Sequence, residues 1–201
     1  NDKYNSKFSD INTSNNNPFI LFPKKSNGVV ILLIHGLLSS PAEVRGFGDY
    51  LCDIGYTVVG ARIVGHGTSP YDLMQYDYND WINSVYSYFD MACMLSKNIV
   101  IIGFSTGGAI ALRNEFIHDS RVKSIVVISA PIFYADTRIK FVPIINGINK
   151  VVSTVLSGNG VKAFFKNIPE NEHINYWIIP TFSIYEVGRL VKSIKSTLAN
   201  V

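Results

Sequence analysis

Apolar runs recur between residues 29 and 130, each followed by a polar turn and a stretch with helical spacing. Val29-Val30-Ile31-Leu32-Leu33-Ile34 carries no polar interruption, which predicts a strand buried on both faces. Ser40-Pro41 then opens a helix with a cap and a first-turn proline, its apolar face at Val44, Phe47 and Leu51 and its end at Gly55. Tyr56-Thr57-Val58-Val59 is the next strand. Residues 77–97 read as a helix with Trp81, Val85, Phe89, Ala92 and Leu95 on one side. A strand over 99–102 leads into a helix carrying Ala109, Leu112 and Phe116. Residues 122–129 give another buried strand through Ile125-Val126-Val127-Ile128. Strand alternating with helix predicts an α/β fold of three layers, a parallel sheet with helices on both faces.

The flanks behave differently. Residues 1–17 are polar, rich in Asn, Ser and Asp, and lack periodicity, which predicts a flexible tail. Residues 18–131 form the expected core. Beyond Pro131 the rhythm is lost, and 132–182 read as a mostly helical insertion over the sheet. The apolar segments of 139–156 are expected to cover the cleft at Ser105 or line its approach. Residues 183–201 return as an amphipathic helix, with Ile184, Val187, Leu190, Val191, Ile194 and Leu198 on one side.

Composition narrows the function classes. The 201 residues suit one domain, and 47% hydrophobic content with 16% charged residues supports a sizeable core. A formal charge of +3, without a Lys/Arg stripe interleaved with aromatics, argues against nucleic acid as a partner. No apolar run is long enough for a membrane span. Cys52 and Cys93 are read as free thiols, because neither sits in a disulfide framework or zinc-site spacing. A cytoplasmic setting is favoured, although a chain starting at Asn1 leaves a removed leader open. Oligomeric state is not legible.

The chemistry enters at Gly103-Phe104-Ser105-Thr106-Gly107, directly after the strand Ile99-Val100-Ile101-Ile102. A sharp strand-to-helix turn lifts a serine hydroxyl out of the sheet, where a base and a substrate reach it. The helix that follows aims its first N–H groups at the same place. Ser105 is therefore the candidate nucleophile, with Gly103 and Gly107 giving the turn its room. His35-Gly36-Leu37-Leu38 follows the first buried strand, a position that suits an oxyanion loop. There the Leu37 and Thr106 N–H groups are expected to share one oxyanion, with His35 bracing the loop rather than acting as base. Gly65-His66-Gly67 makes a tight loop after the next strand, with His66 shaping the site.

In this order, each after a strand, these three motifs resemble the α/β-hydrolase superfamily, and most nearly its bacterial carboxylesterase and monoacylglycerol lipase group. Asp80-Trp81, Ser129-Ala130-Pro131, Ile179-Pro180 and Tyr185-Glu186 resemble the same group. The resemblance covers about Pro18 to Leu198 and makes 132–182 a cap over an acyl pocket. It implies a serine hydrolase of short- to medium-chain acyl esters or monoglycerides, working through an acyl-enzyme on Ser105 without cofactor or metal. Thioesterase, acyltransferase or C–C hydrolase chemistry on the same elbow stays open. In the family the cap is followed by strands bearing the acidic residue and the histidine of the triad, so these two are expected beyond Val201. A chain ending at Val201 would instead suit a non-catalytic binding protein of the same fold.

Overall fold

The computed structural model describes residues 16–132, 143, 146–147, 164–166 and 175–198. Its elements are β1 (Phe19–Leu21), β2 (Val30–Ile34), α1 (Ala42–Asp53), β3 (Thr57–Ala61), α2 (Pro70–Leu73), α3 (Tyr78–Leu95), β4 (Ile99–Phe104), α4 (Thr106–Ala111), α5 (Asn114–Ile117), β5 (Val122–Ile128), β6 (Phe164–Lys166), β7 (Ile178–Pro180) and α6 (Thr181–Leu198). The main sheet runs β1-β3-β2-β4-β5. Its inner pairs are parallel, as the alternation of strand and helix predicts. Alternation along β2 divides the core into two layers. Ile31 and Leu33 join Val44 and Leu51 of α1 on one face, while Leu32 and Ile34 join Trp81, Phe89 and Leu190 on the other.

Helix ends follow local chemistry. Asp77 caps α3 with a full capping box: its side chain accepts from the Asp80 N–H, and Asp80 Oδ2 accepts from the Asp77 N–H at 2.9 Å. In α6, Glu186 has no exposed surface, yet its carboxylate is satisfied by Arg189 and by the Tyr78 N–H at 3.1 Å. That acceptor fixes the start of α3 against α6.

Several expectations are corrected. At the end of the stretch read as a tail, Asn16 is buried and its Oδ1 accepts from the Ser40 hydroxyl at 2.7 Å. The sheet is not wholly parallel: β1 adds an antiparallel edge strand beside β3. Phe47 and Leu95, assigned to apolar faces, are 38% and 42% exposed. The helix after Ser105 ends at Ala111, and Phe116 reaches the core from a separate turn, α5. Strand β5 lies at the sheet edge and is not buried, with Val126 41% exposed. Within the insertion the described residues include a two-stranded antiparallel ribbon, β6 with β7, rather than helix alone. The apolar segments of 139–156 lie outside the described residues, apart from positions 143, 146 and 147.

Candidate active site

Three loops meet at one end of the sheet, for a reason visible in its register. Ile34 pairs with Ala61 on one side and with Gly103 on the other, so β2, β3 and β4 finish level. From β2 the chain moves outward to β3, then crosses back to β4 on the opposite side of β2. In open α/β sheets a reversal of this kind marks the crevice at the carboxyl ends of the strands, here β2 and β4, as the usual place for ligands. His35-Gly36-Leu37 leaves one side of it and Ser105 leaves the other.

Ser105 is one of three described non-glycine residues with positive φ, with Leu38 and Ser129. Its φ of +49° and ψ of −116° lie where a residue with a side chain is strained. The strain is held by neighbours: the Ser105 N–H donates to the Ile128 carbonyl of β5 at 2.8 Å, and the Ser105 carbonyl accepts from the Ala109 N–H. A Cβ on Gly103 would overlap the Gly107 carbonyl, and one on Gly107 would lie 2.5 Å from the Ile34 and His35 carbonyl oxygens. Both glycines are therefore required by close approach of β4, α4 and the end of β2. Ser105 itself is half-buried, whereas Thr106 beside it is buried.

Across the crevice, Gly36 lies against the serine: a Cβ built there would be 3.3 Å from Ser105 Cβ. His35 is fully buried. The Ile63 N–H donates to His35 Nε2 at 3.1 Å, so that nitrogen carries no proton. The proton is then on Nδ1, which donates to the Gly36 carbonyl at 2.9 Å. Burial, helped by His66, lowers the His35 pKa to about 3.

His66 is equally buried. Its Nδ1 bonds the Val64 carbonyl at 3.1 Å, its ring stands 5.3 Å from that of His35, and burial lowers its pKa to about 4. The loop turns through positive φ at Gly65 (+76°) and Gly67 (+70°). Tyr176 locks it by donating its hydroxyl to the Gly65 carbonyl and accepting from the Thr68 N–H at 2.9 Å.

Sequence reasoning thus named the residues on both banks of the crevice but missed Glu43. Its Oε2 accepts from the Gly36 N–H at 2.7 Å. An acid in the first turn of a helix gave no signal of that reach. Elsewhere, the Cys93 thiol is pushed up by burial, and both cysteines are free. Among the described residues no helix is long and apolar enough to cross a membrane.

Residues 29–148 match the family model described as the alpha/beta hydrolase fold. The chain is 24% identical over 186 residues to the thermostable monoacylglycerol lipase of Bacillus sp. (strain H-257), covering 90% of this chain and 68% of that protein. It is 31% identical over 111 residues to the carboxylesterase of Bacillus subtilis (strain 168), covering 55% of this chain and 44% of that protein. A solved structure reported under the heading of LipS and LipT, two metagenome-derived lipolytic enzymes, superposes with a TM-score of 0.74 at 19% identity, over 91% of this chain and 71% of that one. The matched segment contains strands β2 to β5 and the Ser105 turn, and the chain belongs to the alpha/beta hydrolase fold family as a lipase- and esterase-like member.

Proposed function

We propose that Ser105 is the nucleophile of a carboxylic ester hydrolase acting on short- to medium-chain acyl esters or monoglycerides. The observation that carries this reading is the strained backbone of Ser105 at the mouth of the β2–β4 crevice, with Gly36 packed against it. Strain of about 1–3 kcal/mol persists only where the surroundings impose it, and it clusters at reactive positions. The ester groups named in the two Bacillus relatives support the substrate class.

In the proposed reaction, Ser105 Oγ attacks the ester carbonyl while a general base takes its proton. The tetrahedral oxyanion collapses, the carbon–oxygen bond to the alcohol breaks, and the alcohol leaves with that proton. Water then attacks the acyl-serine and releases the acid. The N–H groups of Leu37 and Thr106 hold the oxyanion in both halves. Thr106 opens α4, so its N–H has no partner one turn earlier. A trans peptide points its C=O and N–H in opposite directions. His35 draws the Gly36 carbonyl inward, so the Leu37 N–H of the same peptide turns the other way. His35 is thus a positioning residue. Bases with pKa values near 3 and 4 are too weak at neutral pH, so neither His35 nor His66 takes the serine proton.

The test is a panel of nitrophenyl esters of increasing acyl length with the complete protein, together with labelling by a fluorophosphonate. Labelling at Ser105, and loss of both labelling and turnover in Ser105→Ala, is expected. Full activity in Ser105→Ala would remove the reading. Turnover of thioesters in preference to oxygen esters would move the substrate class and leave the nucleophile in place.

A further inference from the structure

Glu43 stands outside every role assigned so far, yet it touches the peptide that the reaction needs oriented. It sits in the first turn of α1, where a carboxylate is favoured by the helix N-terminus. From there Oε2 reaches back to accept the Gly36 N–H at 2.7 Å, a short, charge-assisted bond across seven residues. The same oxygen would lie 3.4 Å from a Cβ on Gly36, and that Cβ would lie 3.3 Å from Ser105 Cβ. The Glu43 carboxylate and the serine therefore crowd the same side of Gly36. Its two ends are gripped by different groups: Glu43 takes the N–H, and the His35 ring takes the carbonyl.

We propose that Glu43 is a positioning residue whose carboxylate holds the Gly36 N–H away from the oxyanion and, together with the His35 grip on the Gly36 carbonyl, leaves the Leu37 N–H as the one that faces it. The inference rests on Ser105 being the nucleophile. With the Gly36 N–H occupied, only one rotation of the loop satisfies both grips. Without Glu43 the Gly36 N–H is free to turn toward the serine, and the loop is held by the His35 grip alone. The effect falls on the transition state, where charge develops on the oxygen, and hardly on substrate binding.

The test compares wild type, Glu43→Ala and Glu43→Gln in the complete protein. Gln keeps an oxygen able to accept the Gly36 N–H. Glu43→Ala is expected to lower kcat on a nitrophenyl ester, and the rate of Ser105 phosphonylation, about tenfold, with KM little changed and the melting temperature near wild type. Glu43→Gln is expected to recover most of both rates. Amide hydrogen exchange at Gly36, which needs no activity, is expected to be slow in wild type and in Glu43→Gln, and fast in Glu43→Ala. Wild-type phosphonylation in Glu43→Ala overturns the inference, as does a Glu43→Gln variant as slow as Glu43→Ala. A wild-type protein that is never labelled at Ser105 overturns the nucleophile reading itself, and the exchange data then report the grip on Gly36 alone.

Discussion

Gly107 of α4 lies so close beneath His35 that a single methyl group on it would stand 2.5 Å from the His35 carbonyl oxygen. The start of α4 and the loop that follows β2 thus share one contact surface, made of backbone on both sides. Backbone cannot move aside as a side-chain end can. Gly107→Ala is expected to cost about 3 kcal/mol or more, above the usual overpacking range, because two carbonyls must shift. Gly46→Ala is the control. Nothing lies within 4 Å of its Cβ, and it sits inside α1. There Ala is expected to stabilise by about 0.5–1 kcal/mol. Chemical denaturation of the two variants checks both signs.

Acid is expected to unfold the protein through its buried imidazoles. His35 and His66 are held neutral by burial, with pKa values lowered to about 3 and about 4 from 6.5. Below pH 6.5 the unfolded chain takes up protons that the folded chain refuses. The stabilisation is complete above pH 6.5 and declines as pH falls through about 4 for His66 and about 3 for His35. His66→Phe should flatten the slope of stability against pH in that window. An unchanged slope would mean that other groups set the acid limit.

The backbone of Ser105 carries a cost separable from its hydroxyl. Ser105→Ala removes the hydroxyl and keeps the strain of φ +49°. Ser105→Gly removes both. Relief of about 1–3 kcal/mol outweighs the roughly 0.5–1 kcal/mol that glycine loses in chain entropy. Both variants should be inactive, with Ser105→Gly melting at the higher temperature. A lower melting point for Ser105→Gly would show that the turn is unstrained.

Remote from the crevice, Asp77→Ala should remove the capping box of α3 and cost about 1 kcal/mol. Turnover at a temperature well below the melting point is expected to stay at the wild-type value. Calorimetry with a parallel esterase assay separates the two effects.

The central strands were legible because they are buried on both faces, so their apolar runs owe nothing to partners far away. Val30–Ile34 and Ile99–Phe104 stand close to where the sequence puts them. Short edge elements were not legible. Phe19–Leu21 has too few residues to show a period, and only pairing with β3 makes it a strand. The break after Ala111 was hidden because Phe116 keeps helical spacing with Leu112 while reaching the core from a new turn. At the site, the Ser105 turn was legible from glycine, serine and strand in order. Glu43 was not, because its role depends on α1 folding back over the end of β2. Exposure of Phe47 and Leu95 likewise depends on how far each helix overhangs the sheet.

The hydrogen bond from the Tyr78 N–H to Glu186, and that from the Thr68 N–H to Tyr176, each join positions 108 residues apart. During synthesis the start of α3 therefore waits for its acceptor until α6 has left the ribosome. Until then Trp81 lacks the helix that helps to bury it. Closing a loop grows costlier only with the logarithm of its length. The two bonds therefore cost little more in chain entropy than bonds across half that separation, and the first half of the core can be clasped by Tyr176 and α6 despite the distance in sequence.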